Sequence, residues 1–218
     1  MATNKVGERI DDLIAAEHWE AARELIEKTL KKEPRSHWLL TQLGETYYEQ
    51  RHYKKALEVL LRSRDILPDC PLTLWHLAGT LDALGSHDGA IRLYTWLLRS
   101  KKTAKDDPCW ESVEWTDALK TDCVFRMGLS FGHLSRKDLA AHCFRKYLDL
   151  LSYGAKGSYS IREAKTRLQE LHLSGHEALE QEFQEAADWA MEKSGEGPMP
   201  STQPPELDQK SLQHLQEA

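Results

Sequence analysis

The sequence predicts an all-α solenoid of about four helix pairs, closed at its C-terminal end by capping helices. Three observations carry the prediction. Apolar and small residues recur at a spacing of 34 residues, and within each copy they fall at helical intervals. The 218 residues are 40% apolar and 29% charged, enough to bury a core beneath a wet surface without disulfide support. No run of about 18 apolar residues suggests a membrane helix.

The repeat is read first at Ala22, Ala56 and Ala90, and again at Pro34 and Pro68. Each alanine opens the same pattern: Ala22-x3-Ile26, Ala56-x3-Leu60 and Ala90-x3-Tyr94. Upstream of the second and third stand Leu43-Gly44-x2-Tyr47 and Leu77-Ala78-x2-Leu81. A fourth copy, Met127-Gly128-x2-Phe131 followed by Ala140-x3-Phe144, is displaced by 16 residues. Each unit reads as two helices. The small residue, Gly44, Ala78 or Gly128, lets one helix lie close to its neighbour, and large side chains at i, i+3 and i+4 fill the gap. Gly85 marks a turn that requires positive φ, and Pro34 and Pro68 end second helices. A single pair cannot bury its apolar face, so the pairs must stack.

These residues resemble the tetratricopeptide repeat. The resemblance covers the units 3–36, 37–70, 71–104 and 121–154, with an insertion at 105–120 and a cap at 158–171. It implies a right-handed superhelix and a non-catalytic role in protein–protein interaction. Ile10 departs from the pattern, standing where a small residue is usual, and Lys102 replaces the closing proline of the third copy.

The ends of the array follow from capping signals. Ser160-x2-Glu163 is a capping box that opens a helix over 161–171, with Ile161, Ala164, Leu168 and Leu171 on one face. Ser174-x2-Glu177 opens a second, acidic amphipathic helix within 172–194, which either caps the solenoid or docks on a partner through 176–193. Residues 195–218 read as a disordered tail after a proline-rich linker, although Leu207, Leu212 and Leu215 could enter the protein's own groove. From residue 172 onward there are two basic and ten acidic side chains, which accounts for the net charge of −6. There is no basic stripe, so nucleic acid is not an expected partner.

The search for chemistry predicts no enzyme. Gly128-Leu129-Ser130-Phe131-Gly132 matches the nucleophile-elbow string, but it lies within a helix without the strand that motif requires. Ten histidines include His172-x3-His176, and four cysteines, Cys70, Cys109, Cys123 and Cys143, form no C-x-x-C pair. Solvated histidines and buried thiols are the expectation, with no metal, no cofactor and a reducing cytoplasmic setting.

The resemblance also implies a concave groove lined by the first helix of each unit. Mapped here, the candidates are Asn4, Gly7 and Asp11, then Trp38, Thr41, Glu45 and Tyr48. The third unit adds Leu72, Trp75, Gly79 and Asp82, and the fourth adds Asp122, Phe125, Leu129 and Gly132. This face is aromatic and acidic and shows no Lys or Arg, whereas repeats that hold acidic chaperone tails carry basic clamps. The expected ligand is a peptide segment with apolar anchors and basic residues. A chaperone for unfolded clients and a regulatory subunit of an enzyme complex remain the alternatives. Trp110 and Trp115 make the insertion either padding or a docking element.

Overall fold

The structure is a computed structural model that describes residues 2–171 and 203–217, with side chains over 5–171 and 203–216. Helix pairs follow one another: α1 (Ala2–Ala15) with α2 (Trp19–Leu30), α3 (His37–Glu49) with α4 (Tyr53–Ile66), and α5 (Pro71–Ala83) with α6 (His87–Arg99). The last pair, α7 (Val113–His133) and α8 (Lys137–Ser152), is followed by α9 (Ile161–Glu170) and α10 (Gln209–Glu217). Among the described residues these ten helices, one 3-10 turn and no strand make up the fold. The acidic helix expected within 172–194, with its docking stretch 176–193, lies outside the described residues, as do His172 and His176.

The small residues act as the spacing predicts. A Cβ on Gly44 would lie 2.6 Å from Leu60, and one on Gly128 would lie 2.9 Å from the Phe144 ring. Ala78 holds the same place in the third pair, and Ala22, Ala56, Ala90 and Ala140 are fully buried. First helices also pack on one another, α3 on α5 and α5 on α7, so they form the inner layer and the second helices the outer one. Ile10, despite its bulk, is fully buried in a smaller cluster with Ile26, Leu40 and Leu43.

The turns inside the pairs are built alike. Glu17, Arg51, Gly85 and Ser135 take positive φ, at 57°, 61°, 86° and 59°. The next N–H bonds back five residues, as in His52 to Tyr47 O and Ser86 to Leu81 O, both 2.8 Å. Glycine occupies only one of these left-handed positions, so the repeat tolerates strain at the other three.

The insertion divides into two parts. Residues 113–120 become the first turns of α7, capped by Ser112 Oγ, which accepts from Trp115 N at 3.1 Å. The 3-10 turn Pro108–Trp110 drives Trp110 into the core, fully buried beside Trp96 of α6, ring centroids 6.3 Å apart. Trp110 therefore pads the array and is not a docking side chain. Trp115 is partly buried against the same core.

The C-terminal elements differ from expectation in two ways. Ser160 caps α9 as predicted, accepting from Glu163 N at 3.1 Å, and Ala164, Leu168 and Leu171 face the core. Ile161 instead points outward and is 53% exposed. The described part of the tail is ordered rather than free. Pro204, Pro205 and Leu207 are buried, Asp208 caps α10 by accepting from Ser211 N and Lys210 N, and α10 lies on α4. Arg64 of α4 donates to Pro205 O at 2.6 Å. Leu207, Leu212 and Leu215 thus pack at outer helix α4 and not in the groove.

Candidate functional site

The inner face is held by a network centred on Arg126 of α7. Its guanidinium donates to the Tyr48 hydroxyl of α3 at 3.0 Å and to Tyr159, and it lies 5.5 Å over the Trp75 ring of α5. Three successive first helices are thereby tied together. Tyr48 lies over Gly79, its ring 3.6 Å from where a Cβ would be, an ordinary packing contact. The expectation that the face carries no basic residue is corrected here. Helical spacing runs the face through Phe125, whereas packing turns Arg126, one residue later, onto it.

That shift has a physical cause. Phe125 is fully buried, stacked on Tyr159 at 4.0 Å and 8° and set edge-on to Phe144. The segment before α9 folds over it, with Ser158 N and Oγ donating to Asp122 at 2.8 and 2.6 Å. Phe125 is therefore core and cannot touch a ligand. Thr41 is likewise 1% exposed, bonded to Ser63 at 2.9 Å and Thr73 at 2.7 Å between α3, α4 and α5. Both residues leave the list of surface contacts because each faces a neighbouring helix.

The remaining candidates fall as follows. Glu45, Tyr48, Trp75 and Asp82 are partly buried along the inner face. Leu72 is partly buried near the start of α5, and Leu129 is partly buried against the core. Trp38 lies apart, bordering a cleft of about 490 Å³ with Val6, Gly7 and Leu25 at the junction of α1, α2 and α3.

Electrostatics set the character of this face. Burial, then the charge of Asp11, pushes the Glu45 carboxyl up to about 7. His76, 3.6 Å from it, is pulled down to about 4 by burial and stays neutral at ordinary pH. Burial also raises Asp122, partly offset by Ser158. Asp82 accepts from Ser130 Oγ at 2.8 Å and meets His87 Nδ1 at 2.8 Å. Ser130 is thus fully buried, its hydroxyl held by the carboxylate that also meets His87. His76, Arg126 and Tyr159 are the inner-face residues that sequence reasoning missed. Their types carry no motif, and only the packing brings them together.

A second constellation stands at the edge of the array. His37 begins α3, Cys70 precedes α5, and Cys109 sits in the 3-10 turn of the insertion. One ligand atom from each lies within 4.8 Å of the others, with Cys109 Sγ 3.3 Å from His37 Nε2. Burial raises the Cys70 thiol, but hydrogen bonds from His37 and Thr73 outweigh it and the net shift is downward. The bond to Cys70 in turn raises His37. Burial, then the charges of Cys70 and Asp107, raises Cys109.

Comparison with known proteins agrees with the helix pairs. Residues 13–73 match the family model described as tetratricopeptide repeat. A solved structure titled "MamA RS-1 ArsTM double mutant" is similar in fold, with 11% identity and a TM-score of 0.50, covering 77% of this chain and 93% of that one. No curated protein sequence matches the chain. Residues 13–73 match that repeat, and the helix pairs after them keep the same paired packing to the end of α8.

Proposed function

We propose that the protein is a non-catalytic adaptor that binds a peptide segment of a partner on its inner face, between α3, α5 and α7. A scaffold for protein interaction is the general role that the repeat and the fold support. The peptide reading rests on one observation: Tyr48 and Trp75 converge on a face where Asp11, Glu45 and Asp82 stand beside the guanidinium of Arg126. Arg126 over Trp75 shows within the molecule how a ligand cation would sit on such a ring. A peptide with apolar anchors supplies area to the aromatic side chains, and a Lys or Arg supplies charge to Glu45. Such a cation would favour the ionised carboxylate and drive a proton off Glu45.

The test uses the full chain and a panel of labelled peptides, half apolar–basic and half apolar–acidic, read by fluorescence anisotropy. The expected result is preference for the basic set, with Trp75→Ala weakening binding by about thirtyfold, the scale of an aromatic hot spot. Preference for the acidic set, or full binding by Trp75→Ala, overturns the reading.

A further inference from the structure

We infer that His37, Cys70 and Cys109 form a binding site for one zinc ion, which fastens the insertion to the second and third repeats. The three groups come from separate segments, yet their ligand atoms converge within 4.8 Å. Zinc bound by sulfur at about 2.3 Å and nitrogen at about 2.0–2.1 Å needs S···N edges of roughly 3.5 Å and S···S edges of roughly 3.8 Å. The 3.3 Å between Cys109 Sγ and His37 Nε2 already approaches that edge. A set of two thiolates and an imidazole suits a borderline-soft cation and not magnesium or calcium, which take oxygen.

The surroundings hold the ligands in place. The His37 carbonyl accepts from Thr41 Oγ1 at 3.0 Å and from Ser63 Oγ at 2.8 Å, which fixes the first turn of α3. Cys109 N donates to Asp107 Oδ1 at 2.8 Å, and Trp110 next to it is locked in the core. Lys102 pairs with Asp69, next to Cys70, which ties the start of the insertion to the same edge. Asp107 lies close enough for its charge to act on both His37 and Cys109. Its carboxylate does not join the three ligand atoms within 4.8 Å of one another, so the fourth position falls to water. Uptake replaces the thiol protons of Cys70 and Cys109 with two Zn–S bonds and releases those protons, so affinity rises with pH.

The purified full chain, stripped with a chelator under reducing conditions, is titrated with Zn²⁺ and separately with Co²⁺. The expected result is one ion per chain, a cobalt spectrum with thiolate charge-transfer bands and tetrahedral ligand-field intensity, and a thermal midpoint raised by several degrees with zinc. Cys109→Ser changes a partly buried side chain of the insertion outside the α-helices, and circular dichroism checks that it folds. It should lose at least tenfold in zinc affinity and most of the midpoint shift. The unsubstituted protein's cobalt spectrum reads the ligand set independently of any variant. Absence of stoichiometric zinc, a cobalt spectrum without thiolate bands, or undiminished binding by Cys109→Ser overturns the assignment. So does finding Cys70 and Cys109 joined as a disulfide that reforms in preference to metal uptake.

Discussion

Glu45 and His76 show how two neighbouring residues can hide each other's pH dependence. Glu45 titrates at about 7 in the folded chain against 4.5 ordinarily, so between those values the folded state holds more proton and stability falls as pH rises. His76 titrates at about 4 against 6.5, so there the unfolded state holds more proton and stability rises with pH. The slopes oppose over most of the same window. Glu45→Gln removes only the first. Denaturant melts should find it more stable than the parent above pH 7, by on the order of 1–3 kcal/mol, with the difference gone below about pH 4.5. The parent's peptide binding should strengthen as pH rises through 7, and the variant's should not. At the same scale, Arg51 holds a left-handed turn at φ 61° where the next repeat has Gly85. Arg51→Gly should raise stability by about 0.5–1 kcal/mol, read as an increased thermal midpoint. The conformational relief is partly offset by the freedom glycine adds to the unfolded chain.

The helix pairs, the α9 cap and the close approach at Gly44 and Gly128 were legible because each rests on residues near in sequence. The insertion was not. Its tryptophans stand among polar residues, and only the space beside Trp96 decides that Trp110 is core. Trp110→Ala should cost about 3–5 kcal/mol by urea denaturation, since it empties a fully buried indole site. A loss below about 1 kcal/mol would return Trp110 to the docking candidates. The described end of the tail depends on tertiary contacts for a related reason. A nine-residue helix has little stability alone, but Leu207, Leu212 and Leu215 find α4 waiting with Arg64 placed to meet the chain. A chain ending at Gly195 should unfold at lower denaturant concentration than the full chain while keeping its peptide affinity. Loss of affinity would instead place part of the binding surface in the tail.

Among the described residues, the inner face between α3, α5 and α7 stays partly exposed, while the insertion turn packs on α5 and α7 beside Trp96 of α6 and the C-terminal helix packs on outer helix α4. On the proposed reading, binding uses the inner-face side chains and bracing uses Trp110 and the C-terminal helix, so their disruption should be separable: Trp75 variants change affinity, and Trp110 or tail variants change stability. Sequence alone determined the all-α class, the number of helix pairs, their order and the small residues that set their approach. These follow from period and side-chain size, which a linear string records. Tertiary structure alone decided that Thr41 and Phe125 are core, that Arg126 joins Tyr48 to Trp75, and that His37, Cys70 and Cys109 meet. Those outcomes depend on which faces of distant helices touch, and an inserted segment that shifts one helix by a residue changes them without altering any local pattern.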